Sequence, residues 1–396
     1  MKKLLLNLIT GFVFFFLLLS SGLRLNAQPL YPYGNSLGSR NQLGVYSPLA
    51  TAAGETILSQ PGPQAYLLNP GLLGFADNFQ IAVSGRLVAA STGNFYNNEN
   101  IWTTYSRQTL NPDFIGLNLK GGDWRIALGY SLIEEYNRPE ILYYSDSHTQ
   151  NGKLHGFQFG ISRRLNEHLS FGLSFNYRTG KIKHIIYTAY NSVYYDRQVE
   201  LNGFNMQFGL VWKMNDALTL ALVLRPAYRM KVEGTSEERN PDVGIIDTNQ
   251  FDTYLRFPLA ITYSSRVKIS ENLNLYSDIS YWNWKQFSGG SMYDWDLTQF
   301  YDWPQDHDDI KFSAGFDYAW KLRSESRTLR LAAGYIHDPY KIYTGSGSIN
   351  DYLTCGLCVS LNKLSIEGSV KLPLAKLRDE AYIDSSSYQL GLNFRF

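Results

Sequence analysis

Apolar and polar residues alternate strictly along the last part of the chain. Tyr388, Leu390, Leu392, Phe394 and Phe396 are separated by single residues that are polar or glycine. A period of two is that of a β-strand with one apolar and one polar face. The pattern therefore predicts that the chain ends in a strand whose apolar register closes on an aromatic residue.

This ending bears on the class of protein. A soluble edge strand can alternate in the same way, but a C-terminal Phe in the apolar register is typical of the strand that outer-membrane barrels present to their assembly machinery. The same alternation recurs upstream, for example in 169–178, where Gly172, Ser174 and Asn176 form the polar face. A soluble sandwich would wet that face with long charged side chains, whereas a barrel lines its lumen with small polar residues. The barrel is the favoured interpretation.

Fourteen segments carry the pattern, and the links between them alternate between short and long, as in single-chain outer-membrane barrels. We therefore predict an all-β fold, a 14-stranded antiparallel transmembrane β-barrel over residues 79–396 with both ends in the periplasm. Residues 101–108 are either a further strand or an extension of the first. The predicted strands are 79–91, 113–120, 123–134, 154–164, 168–180, 203–214, 217–232, 256–268, 272–286, 309–321, 328–337, 351–361, 363–374 and 385–396.

Two segments precede the barrel. Lys2 and Lys3 followed by an apolar run and by Leu25-Asn26-Ala27 predict a signal peptide over residues 1–27. Residues 28–78 have no strand period and are either a periplasmic tail or a plug in the lumen. The apolar residues around Asn69-Pro70-Gly71 favour a plug, or hatch.

Composition adds an aromatic bias. The chain of 396 residues contains 29 Tyr, 22 Phe, 8 Trp and 33 Gly, and only 18% of it is charged. Aromatic girdles and tight turns use such residues. Two soluble β domains would also fit the length, so the alternation of apolar and polar residues decides between them and a barrel. Basic and acidic residues nearly balance, 36 against 35, which gives no argument for binding nucleic acid.

Candidate chemistry is sparse. The six histidines are scattered and none has a metal-ligand spacing, and no motif nominates a nucleophile with its base. Cys355 and Cys358 are three apart on a predicted strand and so point to opposite faces, which disfavours a disulfide or a metal site. We predict no enzyme activity, no metal and no cofactor.

Beyond these patterns, the chain resembles the FadL family of outer-membrane transporters. That family carries long-chain fatty acids and other hydrophobic compounds and includes the toluene channels. Asn69-Pro70-Gly71 resembles the Asn-Pro-Ala segment of that family's hatch, with Gly71 as a departure. Other matching segments occur in the same order: 203–218, Phe257-Pro258, 284–287, Tyr335 and Asp338-Pro339.

The resemblance implies a lumen plugged by the hatch, ligand capture among the outer loops, and sideways release into the membrane at a kink in the third strand. Gly129 is the predicted kink, since glycine tolerates a bulge; a glycine that only packs against a large neighbour explains it equally well. Ile185, Ile186, Tyr187 and Tyr190 are the predicted loop capture surface, although such residues often only pack a loop.

The sequence thus predicts passive transport of hydrophobic small molecules, long-chain fatty acids or aromatic hydrocarbons, across the outer membrane of a Gram-negative bacterium. Ligand capture and hatch displacement are the predicted mechanism. The expected surroundings are outer-membrane lipid and lipopolysaccharide. The alternative is a FadL-like barrel that serves as a protein-interaction scaffold or secretion-system shuttle.

Overall fold

The computed structural model describes residues 45–59, 62–95, 102–135, 137, 141–143, 146–188, 192–286, 288–289, 308–322, 327–338, 350–374 and 382–396. The predicted signal peptide, the first part of the predicted hatch and Tyr190 lie outside these residues. No helix in the described part of the chain is long and apolar enough to cross a membrane.

Fourteen long strands form one antiparallel sheet. Two of them, β7 and β8, are each interrupted once, at Pro226-Ala227 and at Pro258-Leu259. The strands are β1 Phe79–Phe95, β2 Trp102–Gly121, β3 Trp124–Glu135, β4 Asp146–Arg164, β5 Leu169–Thr188, β6 Val193–Lys213, β7 Leu218–Arg225 with Tyr228–Asn240, β8 Gly244–Phe257 with Ala260–Lys268, β9 Leu273–Trp282, β10 Asp309–Lys321, β11 Arg327–Asp338, β12 Asn350–Leu361, β13 Leu364–Pro373 and β14 Tyr382–Arg395. Two short strands, Ile141–Tyr143 and Ser288–Gly289, add to the sheet.

The sheet closes into a barrel. Every long strand pairs with its neighbours in the chain, and β1 pairs with both β2 and β14. The prediction of a 14-stranded antiparallel barrel is confirmed. We call the end that carries Phe79 and Arg395 the inner end, and the opposite end the outer end.

Side chains alternate between the two faces of the wall. On β6, Phe204 and Phe208 are 50% and 43% exposed, whereas Asn205 and Gln207 are buried inside the barrel. Cys355 is exposed and Cys358 is buried, so the two thiols do lie on opposite faces. The wall therefore turns a broad apolar surface outward and a polar one inward, as a barrel immersed in lipid requires.

Several strands are longer than the alternation predicted. Residues 233–255, expected to be a link, continue β7 and β8 as a hairpin, and residues 102–108 begin β2 instead of extending the first strand. Both parts of the hairpin are rich in polar residues on both faces, so they lack the apolar period. Pro226 and Pro258 lie in the interruptions, because proline cannot donate a ladder hydrogen bond.

The described part of the segment before β1, residues 45–78, has short helical elements and no strand. They are helix α1 Pro48–Ala52, a 3₁₀ turn Ile57–Ser59, helix α2 Ala65–Leu68 and a 3₁₀ helix Pro70–Phe75. Nearly all of residues 45–74 that are described are buried, and they contact strands from β3 around to β14. A buried segment that touches strands around a closed barrel lies in its lumen; we call residues 45–78 the hatch.

Candidate functional site: the plugged lumen

The Asn69-Pro70-Gly71 motif fastens the hatch to the wall. The Asn69 side chain caps the 3₁₀ helix by accepting a hydrogen bond from the Gly71 backbone N–H at 2.8 Å. Its amide nitrogen donates to the carbonyl oxygens of Leu210 on β6 and Leu222 on β7, at 3.3 and 3.5 Å. One buried asparagine therefore orders the turn and holds it against two strands.

Glycines in the wall make room for this contact. A methyl group on Gly209 would lie 2.0 Å from Asn69 Oδ1, and one on Gly172 would lie 2.3 Å from the Pro70 carbonyl oxygen. Only a wall without side chains at these two positions lets the motif approach so closely. The glycine-rich polar face of the strands is thus explained by hatch packing.

Side chains of the wall also satisfy hatch carbonyl groups. Gln207 Nε2 donates to the Leu67 carbonyl oxygen at 2.7 Å, and Arg225 donates to the Leu68 carbonyl oxygen at 3.0 Å and to Gln207 Oε1 at 2.9 Å. On the other side, Glu367 accepts from Ser47 Oγ at 3.0 Å, and Thr51 Oγ1 donates to Gln389 at 2.6 Å. Buried backbone groups need such partners, so the hatch is anchored around its circumference.

Glu55 forms the most highly charged contact between hatch and wall. Its carboxylate oxygens lie 3.0 Å from Lys311 Nζ on β10 and 2.7 Å from Lys371 Nζ on β13. Burial alone would raise the pKa of Glu55, but the two ammonium groups outweigh it and lower the pKa below its ordinary range. Glu55 is therefore a charged clamp between the hatch and two strands.

Replacing Asn69 by Ala is expected to loosen the hatch and change uptake without unfolding the barrel. The change removes the cap and leaves buried backbone groups unpaired, at a cost of about 1–3 kcal/mol. Limited proteolysis of the folded protein measures hatch release. Asn166→Ala, which removes a similar cap from an exposed turn, is the control and should have no effect. Wild-type protease resistance and wild-type uptake in Asn69→Ala would refute the hatch assignment.

Replacing Glu55 by Gln should weaken hatch docking by roughly 1–3 kcal/mol, because two half-buried ammonium groups lose their partner. The folded-state pKa is depressed, so the stabilisation is complete at neutral pH and decreases progressively as pH falls below the ordinary carboxyl range. Hatch proteolysis followed from neutral to acidic pH should therefore show acid release in the wild type and a smaller pH response in Glu55→Gln, in which Asp278 and Glu367 still contact the hatch. The exposed pair of Glu271 and Lys321 supplies the control Glu271→Gln. Equal profiles for all three proteins would contradict the clamp.

An apolar cluster lies in the lumen on the outer side of the hatch. Its members face the lumen, as Gln207 does, and Leu201 and Met230 are fully buried. Tyr228 stacks on Phe257 with ring centroids 4.8 Å apart. The cluster consists of Ile133, Leu154, Ile182, Val199, Leu201, Met230, Val232, Leu255, Phe257, Ala260 and Trp282.

We call this group the upper apolar cluster. A polar layer separates it from the hatch. Arg178 donates to the Tyr228 hydroxyl at 2.8 Å, and Asn176 contacts Asn205 at 2.8 Å. Arg225 lies in the same layer and reaches the hatch at Leu68. From the outer end inward, the lumen therefore contains the upper apolar cluster, then the polar layer, then the hatch.

The wall itself is interrupted between β2 and β3. These strands pair only from Phe114–Ser131 down to Gly121–Trp124. Farther out, β2 stays paired with β1 as far as Trp102, and β3 stays paired with β4 as far as Glu135. Within the described residues, the two strands share no backbone ladder above Phe114, so a gap opens in the wall there.

Side chains span this wall gap. The Asn111 amide on β2 donates to the Glu135 carboxylate on β3, and Lys153 Nζ on β4 donates to Asn111 Oδ1 at 3.0 Å. Asn137 donates to the same carboxylate at 2.6 Å. We call these four residues the clasp. Ile133 and Leu154 of the upper apolar cluster lie beside it, so the cluster borders the gap.

Gly129 lies in a regular stretch of β3 and not at a kink. Its pairing with Gly116 and with Gln158 is regular, and the register shift of β3 lies between Leu132 and Glu134. A methyl group on Gly129 would lie 2.5 Å from the Tyr66 hydroxyl, so this glycine makes room for a hatch residue. The irregularity of the third strand therefore begins three residues beyond the predicted position.

Three of the predicted capture residues, Ile185, Ile186 and Tyr187, lie on β5 and not in a loop, and the fourth, Tyr190, lies outside the described residues. Ile186 is buried and packs with Val193 and Tyr195, whereas Tyr187 lies on the opposite face and contacts Tyr194 with centroids 4.6 Å apart. Because neighbouring strand residues face opposite sides, Ile185 and Tyr187 do not share a surface with Ile186. A role for them in ligand capture stays a prediction.

Sequence reasoning missed Glu55, the polar layer and the clasp. Their partners lie far apart in sequence, up to 316 positions for Glu55 and Lys371. Arg178 and Arg225 occupy polar positions in the alternation of their strands, so the sequence does indicate that both face the inside of the barrel. Nothing in the local pattern predicts which inward residues meet.

Comparison with known proteins gives a structural likeness. No family model matches the chain, and no curated protein sequence matches it. The toluene transporter TbuX of Ralstonia pickettii superposes with a TM-score of 0.62 at 12% identity, covering 89% of this chain and 99% of that one. A Pseudomonas aeruginosa FadL homologue gives 0.63 at 12% identity over 89% and 98% of the two chains, and the P. putida toluene transporter TodX gives 0.63 at 14% over 89% and 99%. The chain therefore has the fold of these proteins.

Proposed function

We propose that this chain, with the fold of toluene transporters and of a FadL homologue, is a passive outer-membrane channel for hydrophobic small molecules. The inner end would face the periplasm, and ligand would pass by binding and by displacement of the hatch, without catalysis. The ligand class is long-chain fatty acids or aromatic hydrocarbons.

The observation that carries the proposal is the upper apolar cluster, which lies in the lumen on the outer side of the hatch and the polar layer. Inward apolar residues nearer the inner end, such as Val211, Val223 and Tyr276, pack against apolar hatch residues, whereas the upper apolar cluster contains no hatch residue. An apolar site shielded from water is what a hydrophobic ligand requires, and an open water-filled pore would give it none.

The hatch and the wall gap supply the rest of the route. Phe114 lies at the lower edge of the gap and stacks on the hatch residue Tyr46, with ring centroids 5.8 Å apart. Movement of the hatch would free Phe114 and join the upper apolar cluster to the gap. An apolar ligand would then leave sideways into lipid, where its transfer is favourable.

Substitution of Val199 by Glu tests this function. A carboxylate in the upper apolar cluster removes the apolar character of the site, so uptake of labelled hydrophobic compounds should fall at least about tenfold, which corresponds to 1.4 kcal/mol. Gln198→Glu is the matched control, because Gln198 is the adjacent residue on the outward face. Equal uptake by the two variants, both folded as judged by heat-modifiable migration, would refute the role of the cluster.

A second candidate is a protein-interaction scaffold. The tip of the β7–β8 hairpin exposes Val243, Ile245 and Ile246, which are 78%, 58% and 52% exposed. Apolar residues on a projecting tip are typical of contact surfaces. A stoichiometric protein partner that copurifies with the wild type and is lost on Val243→Asp, with uptake at the empty-vector level, would favour the scaffold.

A further inference from the structure

The inner end of the lumen has an uneven distribution of charge. Arg125 on β3, Arg164 on β4, Lys213 on β6 and Arg266 on β8 lie on one side of the mouth; we call them the basic arc. Within the described residues, none of the four has a carboxylate oxygen within 4 Å. Carboxylates do occur nearby, at Asp123, Glu167 and Asp216, but they lie in the exposed turns.

The opposite side of the same mouth is neutralised. Arg330 lies 2.6 Å from Asp317, Arg395 lies 3.6 Å from Asp77, and Lys321 lies 3.9 Å from Glu271. Three inner-end cations on this side thus have a carboxylate partner, whereas the four residues of the arc have none within 4 Å among the described residues. Like charges that face one lumen without counter-charges repel one another, so the arc is costly unless an anion meets it.

The arc residues are neighbours across the wall. Lys213 and Arg266 both pair in register with Thr219, so they lie two strands apart, about 10 Å. Arg164 pairs with Ser170 at the start of β5, and the Lys213 backbone N–H donates to the His168 carbonyl oxygen just before it. Arg266 donates to the Thr219 hydroxyl at 3.0 Å, and its Nε is buried without a partner. The four cations therefore converge on one part of the mouth.

Phe75, at the end of the hatch, lies at the centre of the arc. Lys213 Nζ lies 3.9 Å from the Phe75 ring centroid, and the Arg164 guanidinium lies 5.5 Å from it. Arg125 donates to the carbonyl oxygen of the next residue, Ala76, at 3.4 Å. An aromatic ring is a weaker partner for a cation than a carboxylate is, so an anion would compete with Phe75 for the same side chains.

We propose that the basic arc binds the carboxylate of an anionic amphiphile at the inner mouth, which gives such ligands a second way out of the lumen beside the wall gap. The inference rests on the proposed channel function and adds to it a binding site and an exit for those ligands that carry a carboxylate. A neutral hydrocarbon can pass into lipid through the wall gap, whereas a carboxylate cannot leave water without cost. Arg225, deeper in the lumen, donates hydrogen bonds to the neutral groups of Gln207, Thr262 and the Leu68 carbonyl.

Calorimetric titration of the purified full-length barrel in a non-ionic detergent tests the arc, with benzoate as the anionic probe and benzyl alcohol as the neutral one. Arg164→Gln/Lys213→Gln/Arg266→Gln should weaken benzoate binding at least about tenfold and leave benzyl alcohol unchanged. Lys268→Gln/Lys321→Gln/Lys363→Gln removes the same charge from exposed inner-end positions and should bind both probes as the wild type does. Phe75→Leu should bind benzoate more tightly than the wild type, because the cations lose their ring partner.

Equal benzoate affinity in the wild type and both triple variants would overturn the proposal, and so would equal loss of benzoate and benzyl alcohol in the arc variant. Absence of benzoate binding in both the wild type and Phe75→Leu would overturn it as well. Phe75→Leu keeps the test open if the triple variant fails to fold. These titrations use no transport step, so failed uptake of toluene would count against the proposed function alone.

Discussion

Deleting residues 45–76 is expected to turn the barrel into an open pore. Removal of the hatch leaves polar wall residues such as Ser170, Ser174 and Gln207, together with apolar ones such as Val211, around an empty lumen, which water then fills. Conductance in planar bilayers should rise at least about tenfold over the wild type.

A hydrophilic antibiotic supplies the matching assay in cells. Strains that carry the deletion should become sensitive to it, and strains that carry Asn166→Ala, with an intact hatch, should not. Wild-type conductance in a correctly folded deletion protein would contradict the assignment of residues 45–76 as the plug.

Closing the wall gap is expected to stop uptake of a neutral hydrocarbon. Cysteines at Asn111 and Glu135, whose side chains meet across the gap, can be bridged by a short bifunctional thiol reagent in a Cys355→Ser/Cys358→Ser background. The bridge replaces a breakable clasp by a covalent one. Labelled toluene uptake should fall to the empty-vector level and return on reduction of a cleavable linker.

The matched control is a bridge where the wall is already continuous. Thr179 and Asn202 pair in register on β5 and β6, and their side chains meet at 2.8 Å. Bridging cysteines at these positions should leave toluene uptake unchanged. Unchanged uptake with the Asn111–Glu135 bridge in place would show that toluene does not leave through the gap.

The barrel was predictable because its signal is local. Phe204, Phe208 and Trp212 alternate with Asn205, Gln207 and Gly209 within a few residues, and lipid on one side and a polar lumen on the other enforce that period. The strand extensions were not predictable in this way. Residues 233–240 and 244–255 project beyond the apolar belt, so neither face is required to be apolar.

The site was less predictable, for a physical reason. The hatch motif at Asn69 is recognisable in the sequence. Its contact with the wall depends on Gly172 and Gly209, which leave room for the motif because they have no side chain. The third strand illustrates the same limit. Gly129 was a reasonable position for a kink, yet the gap depends on where β2 and β3 stop pairing, and no local residue pattern encodes the end of a ladder between two strands.

Uptake of labelled oleate and labelled toluene tests the central claim most directly. The cells lack their own transporter for hydrophobic compounds and carry either the empty vector or this protein, shown to be folded in the outer membrane by heat-modifiable migration. We expect uptake of at least one compound above the empty-vector level, reduced by Val199→Glu and not by Gln198→Glu. Uptake of neither compound by the folded wild-type barrel would contradict it.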